Sequence, residues 1–181
     1  VMGWPTPMGR ASIRAPEDYR QPAVSGKTGS ALFGMGREDG KGFHEGSGIR
    51  AGKTNADGEA LGLGLAGMDG QVADLNSNVS GPYGRYVVLY HATAEIPVYT
   101  LYAHLAKIEP SLKPTHPVPR GTAIRLTGPT SAGASPITKE RPHLHFEAAL
   151  ILSTGFHPSY PAQPANKQRP HLHGPYNPHH L

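Results

Sequence analysis

The chain contains no cysteine, which excludes disulfide bonds, thiol nucleophiles and thiolate metal ligands. Any metal ion would therefore have to be held by histidine and carboxylate side chains. No apolar run approaches the roughly 18–20 residues that a membrane-spanning helix requires. Hydrophobic residues make up only 37% of the 181 positions. These absences exclude a membrane span, a coiled coil and a helical bundle.

Glycine and proline are abundant instead, with 23 and 19 residues. Glycine and proline interrupt helices and strands, so their high frequency favours short strands joined by many turns. The length suits one domain with its own core. We therefore expect a mainly β fold of antiparallel sheets with little helix. Residues 1–29 are predicted to form an extended N-terminal arm, residues 30–155 the domain, and residues 156–181 an irregular Pro- and His-rich tail that packs on the domain or trails from it.

The charge of the chain is modestly positive, at +4 with histidine neutral. A positive charge suits an anionic polymer, whether a nucleic acid or a cell-wall glycan. The 17 lysine and arginine residues are scattered, however, and they form no cluster interleaved with aromatic side chains. We therefore predict no nucleic-acid partner.

Histidine is unusually frequent, with 11 residues, and its most suggestive arrangement is His143-Leu144-His145-Phe146-Glu147. Successive side chains of a strand point to opposite faces, so His143, His145 and Glu147 should share one face. A His-x-His pair can bind one metal with both rings, or place one ring on a metal and the other beside it as an acid or base. Two structural histidines remain the alternative at this point.

Other segments of the chain could bring further histidines to this pair. The strands predicted at 86–91 and 97–104 should form an antiparallel pair, in which Thr100, Tyr102 and His104 share a face. His104 could then meet the pair if its strand neighbours that of His143. His44 precedes a run of small residues, from which a loop could carry its ring to a metal. Residues 60–66 and 71–75 are predicted to form a hairpin, and 31–36 a short strand.

Together these segments resemble the lysostaphin-type, or LytM-like, zinc endopeptidases, which cut peptide cross-links of bacterial peptidoglycan. The resemblance covers residues 33–151, and its most specific part is 142–147. Its motifs in this chain are His44-Glu45-Gly46-Ser47-Gly48-Ile49, Pro82-Tyr83-Gly84, Tyr102-Ala103-His104-Leu105 and His143-Leu144-His145-Phe146-Glu147.

The resemblance implies a fold and a site. The fold would be an open-groove barrel-sandwich of antiparallel sheets. His44 and His145 would be ligands of Zn²⁺, while His104 and His143 would flank the metal-bound water and act in catalysis. The substrate would be peptidoglycan or another glycine-containing peptide, and the location the bacterial cell envelope, either periplasmic or secreted. Four tyrosines could line the groove, although sheet packing is the simpler expectation for each: Tyr83, Tyr86, Tyr99 and Tyr102.

One position departs from the family pattern. The third zinc ligand of the family is an aspartate four residues after the first histidine, and here that residue is Gly48. Glu45 is the nearest replacement, but adjacent extended residues face apart. Asp57 and Asp69 are conceivable, without support from their spacing. The alternative function is therefore a catalytically inactive LytM-like domain that binds cell wall or a partner protein without cleavage.

A second Arg-Pro-His-Leu-His sequence occurs at 169–173, within the predicted tail. It runs into Gly174 and Pro175, and a central strand cannot continue through that sequence. The copy at 141–145 is therefore the candidate for the site. Nothing in the sequence indicates an oligomeric state.

Overall fold

The computed structural model describes residues 1–9, 13–22, 31–34, 36–37, 42–57, 60–93, 95–132 and 137–151. Within these residues one short helix precedes the strands, so the predicted fold class, mainly β with antiparallel sheets, is confirmed. None of the described helices is long or apolar enough to cross a bilayer. The tail predicted at 156–181, with its second Arg-Pro-His-Leu-His sequence, lies outside the described residues. The elements are α1 (Pro16–Tyr19), β1 (Gly36–Arg37), β2 (Gly42–Phe43), β3 (Ser47–Arg50), β4 (Leu63–Leu65), β5 (Gly70–Asn76), β6 (Tyr86–His91), β7 (Val98–Ala103), β8 (Pro117–Val118), β9 (Ala123–Leu126) and β10 (His143–Leu150).

The principal element is a six-stranded sheet with the order β3-β10-β7-β6-β5-β8. All of its neighbouring strands pair antiparallel. The predicted pairing of β6 with β7 is present, with Val87 opposite Tyr102. β10 lies between β3 and β7, so the His-x-His strand has a hydrogen-bonded neighbour on each side.

Two of the sequence-based expectations for shorter elements are wrong. The predicted hairpin of 60–66 with 71–75 does not form, because β4 pairs with β9 in a separate two-stranded sheet. The turn between β4 and β5 is tied to the core instead, where the backbone N–H of Gly67 donates to the hydroxyl of Tyr102 at 2.9 Å. The expected strand at 31–36 is also absent over 31–34, which form a turn.

The large sheet buries apolar side chains on both faces. Successive side chains of β7 point alternately to the two faces and so belong to two different core clusters. Tyr102 belongs to the first core cluster, whereas Leu101 and Ala103 belong to the second. Strands covered on both faces carry long apolar runs, as β6 and β7 do. The first cluster comprises Ile49, Ala66, Val72, Val87, Leu89, Tyr102, Leu105, Leu112, Val118, Ile124 and Leu144. The second cluster comprises Tyr83, Tyr86, Val88, Tyr99, Leu101 and Ala103.

The described part of the N-terminal segment packs on the sheet. Trp4 and Tyr19 meet edge to face, with ring centroids 5.1 Å apart, and both rings contact the first core cluster. The backbone N–H of Gln21 donates to the carbonyl of Gly48 at 2.9 Å, and Arg20 forms a β-bridge with Ile49. Residues 20–21 therefore extend the sheet beyond β3.

His91 is a fully buried histidine within the sheet. Its Nδ1–H donates to the carbonyl of Asp69 at 2.9 Å, and its Nε2 lies 2.8 Å from the hydroxyl of Thr100. Burial lowers the pKa of His91 below its ordinary value of 6.5. The folded protein therefore keeps this ring neutral, with both nitrogens hydrogen-bonded.

We predict that His91 makes folding stability sensitive to acid. The unfolded chain takes up a proton at His91 below about pH 6.5, while the folded chain resists it. The contribution is therefore present above that pH and is lost as the pH falls. Melting temperatures measured from about pH 7.5 to about pH 5 should fall less steeply for His91→Gln, which cannot be protonated. Equal pH slopes for the two proteins would contradict this assignment.

Candidate active site

The site is built on β10, where His145 lies opposite a small residue on each neighbouring strand. Its cross-strand partners are Gly48 on β3 and Ala103 on β7. Directly opposed residues share a face at close range, so small partners leave space for an imidazole ring. His143, His145 and Glu147 lie on one face of β10, while Leu144 packs into the first core cluster on the other.

His44 and His145 meet at the centre of the site. The Nε2 of His44 lies 3.2 Å from the Nδ1 of His145. The other nitrogen of each ring makes a hydrogen bond outside the pair. Nδ1 of His44 lies 3.1 Å from the carbonyl oxygen of Leu32, and Nε2 of His145 lies 2.6 Å from the carboxylate of Glu147. A carbonyl and a carboxylate accept hydrogen bonds, so these outer nitrogens carry the protons. Two lone pairs therefore face each other, an arrangement that a cation or a shared proton between them stabilises.

This pair of nitrogens fits two of the ligand positions of a zinc ion. Nitrogen ligands lie 2.0–2.1 Å from zinc in a tetrahedral site, which places them about 3.4 Å apart. The 3.2 Å between Nε2 of His44 and Nδ1 of His145 is close to that spacing. Hydrogen bonding of a ligand histidine to a carboxylate is also typical of metal sites. The pair therefore has the geometry and tautomers of metal ligands.

The position at which the resemblance implies a third ligand is Gly48, which has no side chain. No group of three or more His, Cys, Asp and Glu residues that could hold a metal is found in the described part of the chain. Glu45, which is partly buried, is therefore in no such group within the described residues. Asp57 and Asp69 are both exposed, and Asp69 accepts a hydrogen bond from the backbone of Arg120 at 2.7 Å.

Gly48 nevertheless lies beside the histidines on the neighbouring strand. It is opposite His145, and its backbone adopts a conformation open to any L-residue. A Cβ built there would lie 3.4 Å from Cδ2 of His143 and 3.7 Å from Cβ of Ala31, both ordinary van der Waals contacts. The fold can therefore accommodate a side chain at position 48 that the sequence does not supply.

His104 reaches the site by a route that the alternation along β7 did not predict. It was expected to share a face with Thr100 and Tyr102, and this expectation is wrong. β7 ends at Ala103, and His104 has a φ of 60°, which turns its ring to the opposite face. Its ring centroid lies 4.9 Å from that of His143 and 5.6 Å from that of His145. Left-handed backbone at a non-glycine residue costs about 1–3 kcal/mol, and functional sites often retain such strain.

His104 and His143 are oriented by the same kind of contact. Nδ1–H of His104 donates to the carbonyl of Thr130 at 2.9 Å, and Nδ1–H of His143 donates to that of Arg141 at 2.9 Å. Nε2 is therefore the nitrogen of each ring that can accept or release a proton. The structure thus brings together all four histidines of the sequence-based hypothesis, from three separate segments.

The sequence-based hypothesis offered Tyr83 only as a possible groove wall and placed Glu147 only on the face of His145, so their mutual contact was not predicted. Oε1 of Glu147 accepts two hydrogen bonds, one from Nε2–H of His145 and one from the hydroxyl of Tyr83 at 2.7 Å. Burial raises the pKa of Tyr83 far above its ordinary value of 10.0, and the negative charge of Glu147 raises it further. Tyr83 is therefore a neutral donor. The alternation along β10 placed Glu147 beside His145, but no local pattern links Tyr83 to a residue 64 positions away.

Comparisons with known proteins identify the family of this chain. Residues 44–155 match peptidase family M23. The chain is similar to a zinc-containing peptidase from Vibrio cholerae (25% identity over 73% of this chain and 34% of that one, TM-score 0.49). It is also similar to Csd3 from Helicobacter pylori (26%, 67% and 28%, 0.46) and to the catalytic domain of the antimicrobial peptidase lysostaphin from Staphylococcus simulans (20%, 75% and 83%, 0.48). The chain thus spans about a third of the first two. No curated protein sequence gives a significant match.

We predict that replacement by alanine destabilises the folded protein at Gly46 but not at Gly48. A Cβ at Gly46 would lie 2.5 Å from the backbone oxygen of Phe146 and 2.8 Å from Nε2 of His145. Gly46→Ala should therefore lower the free energy of unfolding by about 1–3 kcal/mol. Gly48→Ala should leave it unchanged or raise it by up to about 1 kcal/mol, because the unfolded chain loses entropy. Urea denaturation measures both, and equal effects would show that the two positions are not packed as described.

Proposed function

The chain belongs to peptidase family M23, and we propose that it is a zinc-dependent endopeptidase that hydrolyses peptide cross-links of bacterial peptidoglycan. The observation that carries this proposal is the pair of opposed lone pairs on His44 and His145, 3.2 Å apart, with two further histidines beside them. Peptidoglycan or another glycine-containing peptide is the proposed substrate. The proposed location is the bacterial cell envelope, either in the periplasm or outside the cell.

Each histidine has a distinct proposed role. Nε2 of His44 and Nδ1 of His145 would hold the zinc ion, since both are held in the acceptor state. Zinc bound there would supply a Lewis acid that polarises the scissile carbonyl and lowers the pKa of water. No nucleophilic side chain is then required, which suits a chain without cysteine.

His104 and His143 would move protons and stabilise charge. Their rings lie in contact, and each is fixed through Nδ1 on a backbone carbonyl. A neutral Nε2 can take a proton from an attacking water, and a protonated one can donate to a developing oxyanion or to the leaving amine. Because the two rings are adjacent, one can act as the base while the other donates.

Gly48 favours a second candidate function, a domain that binds cell wall or a partner protein without cleavage. Catalytic zinc normally has three protein ligands, and two neutral histidines bind it less tightly than a set that includes a carboxylate. The two candidates differ in their dependence on metal. Cleavage should stop when a chelator removes zinc and return when zinc is restored, whereas simple retention on cell walls should not change.

We predict that the four histidines separate into two classes on substitution. His104→Ala and His143→Ala should slow release of peptides from purified peptidoglycan by about 10²–10⁴-fold, because each removes a group that moves protons. Both variants should still bind zinc. His44→Ala and His145→Ala should lose zinc as well as cleavage.

Zinc content is measured by elemental analysis, and cleavage by the appearance of new amino groups. His116→Ala is a suitable control, because that histidine is exposed. Full cleavage by His104→Ala and His143→Ala, or by wild-type protein freed of zinc, would exclude the proposed mechanism. Wall retention without any cleavage by the zinc-loaded protein would favour the second candidate.

We predict that Gly48→Asp strengthens zinc binding. The new side chain would project from β3 opposite His145 and add a negative oxygen ligand to the two nitrogens. Competition with a chromophoric chelator should show a dissociation constant at least about tenfold lower than that of the wild type, a change that corresponds to about 1.4 kcal/mol. Gly48→Ala, which adds the Cβ without a carboxylate, is the matched control. Equal affinities for the aspartate and alanine variants would show that position 48 does not face the metal.

A further inference from the structure

A hydrogen-bonded chain of three side chains leads from the second core cluster to the centre of the site. The hydroxyl of Tyr83 donates to Oε1 of Glu147, and the same oxygen accepts Nε2–H of His145 at 2.6 Å. All three side chains are buried, with Glu147 only 2% exposed. The rings of Tyr83 and His145 also meet edge to face, with centroids 5.2 Å apart.

The position of one proton on His145 decides the state of the site. With the proton on Nε2, Nδ1 presents a lone pair toward Nε2 of His44. With the proton on Nδ1, the same 3.2 Å contact becomes an ordinary N–H···N hydrogen bond between the two histidines. That second state would occupy both nitrogens and close the site to any cation. The two tautomers of a neutral imidazole differ little in energy unless a neighbour selects one.

We propose that Glu147 is the positioning residue that holds the proton of His145 on Nε2 and so keeps its Nδ1 directed at His44 as an acceptor. Tyr83 helps to fix the carboxylate by donating to the same oxygen. The consequence for zinc affinity rests on the proposed function, whereas the consequence for the tautomer does not. Glu147 acts through His145 and is not itself a ligand.

The energetics of Glu147 favour a role in the site over a role in stability. Its second oxygen, Oε2, is buried without a hydrogen-bond partner in the described part of the chain, as is the hydroxyl of Tyr99. Burying a carboxylate with one oxygen unsatisfied costs free energy that an apolar residue would avoid. Buried polar groups that weaken a core are typical of functional sites.

The test uses zinc-free protein labelled with ¹⁵N in histidine, at about pH 8, where neutral imidazoles predominate. Long-range ¹⁵N–¹H correlation spectra report which ring nitrogen carries the proton, and His145→Ala assigns the signals of His145. In the wild type His145 should carry its proton on Nε2. In Glu147→Leu, which has no acceptor, the proton should move to Nδ1. The dissociation constant for zinc alone should rise by about 10–100-fold.

Two further variants make the result decisive. Tyr83→Phe keeps the contact between Glu147 and His145, so it should retain the Nε2–H tautomer and lose less than about threefold in zinc affinity. Glu147→Leu could fail to fold because it leaves the Tyr83 hydroxyl buried without an acceptor. In that case the double variant Y83F/E147L, which removes both polar groups, takes its place in the same measurements. An Nε2–H tautomer in the folded Leu variant would overturn the proposal, whereas a proton moved to Nδ1 with zinc affinity within twofold of wild type would overturn only its consequence for zinc binding. Absence of cleavage by the wild type would overturn the proposed function and leave the tautomer result standing.

Discussion

The site depends on the opposition of two lone pairs, those of Nε2 of His44 and Nδ1 of His145. In the neutral rings neither of these nitrogens donates while the outer nitrogen of each ring holds its proton on a carbonyl or a carboxylate. A chain that only needed stability would place an N–H between the rings. A cation or a shared proton between the two nitrogens would stabilise the arrangement, and the packed sheet around the rings supplies rigidity.

The six-stranded sheet provides this rigidity because β10 is paired on both sides. Its register with β3 and β7 fixes which residues lie opposite His145, and a slip by one residue would turn every side chain of β10 to the other face. Gly46 and Gly48 show how closely the neighbouring chain is fitted. Gly46 leaves no room for a Cβ, which would clash with His145 and with the backbone of Phe146. Gly48 leaves room for one. The fold therefore has room for a side chain at position 48, where the sequence supplies glycine.

Much of this arrangement could be predicted from the sequence. Period-two alternation placed His143, His145 and Glu147 on one face, because β10 is a regular strand over its whole length. The resemblance to lysostaphin-type peptidases rested on four separated motifs, and the match of 44–155 to family M23 confirms it. The mainly β fold class followed from the abundance of glycine and proline with few long apolar runs.

The remaining features depend on tertiary contacts that no local pattern encodes. Alternation failed at His104, because a left-handed backbone ends β7 one residue earlier and reverses the direction of the ring. The pairing of β4 with β9 was missed because a glycine-rich turn suggested a hairpin, whereas the hydroxyl of Tyr102 holds that turn against the core. The contact of Tyr83 with Glu147 joins residues that only the folded sheet brings together.

The bridge between the N-terminal segment and β3 has a consequence for the behaviour of the protein in concentrated solution. Without Arg20 and Gln21, β3 would be an outer strand with unpaired main-chain groups beside Gly48 and Ile49. Outer strands of this kind can join the sheets of separate molecules and so lead to aggregation. Arg20 and Gln21 therefore shield the edge of the sheet beside the histidine strand, and forms of the chain that lack these residues would lose that protection.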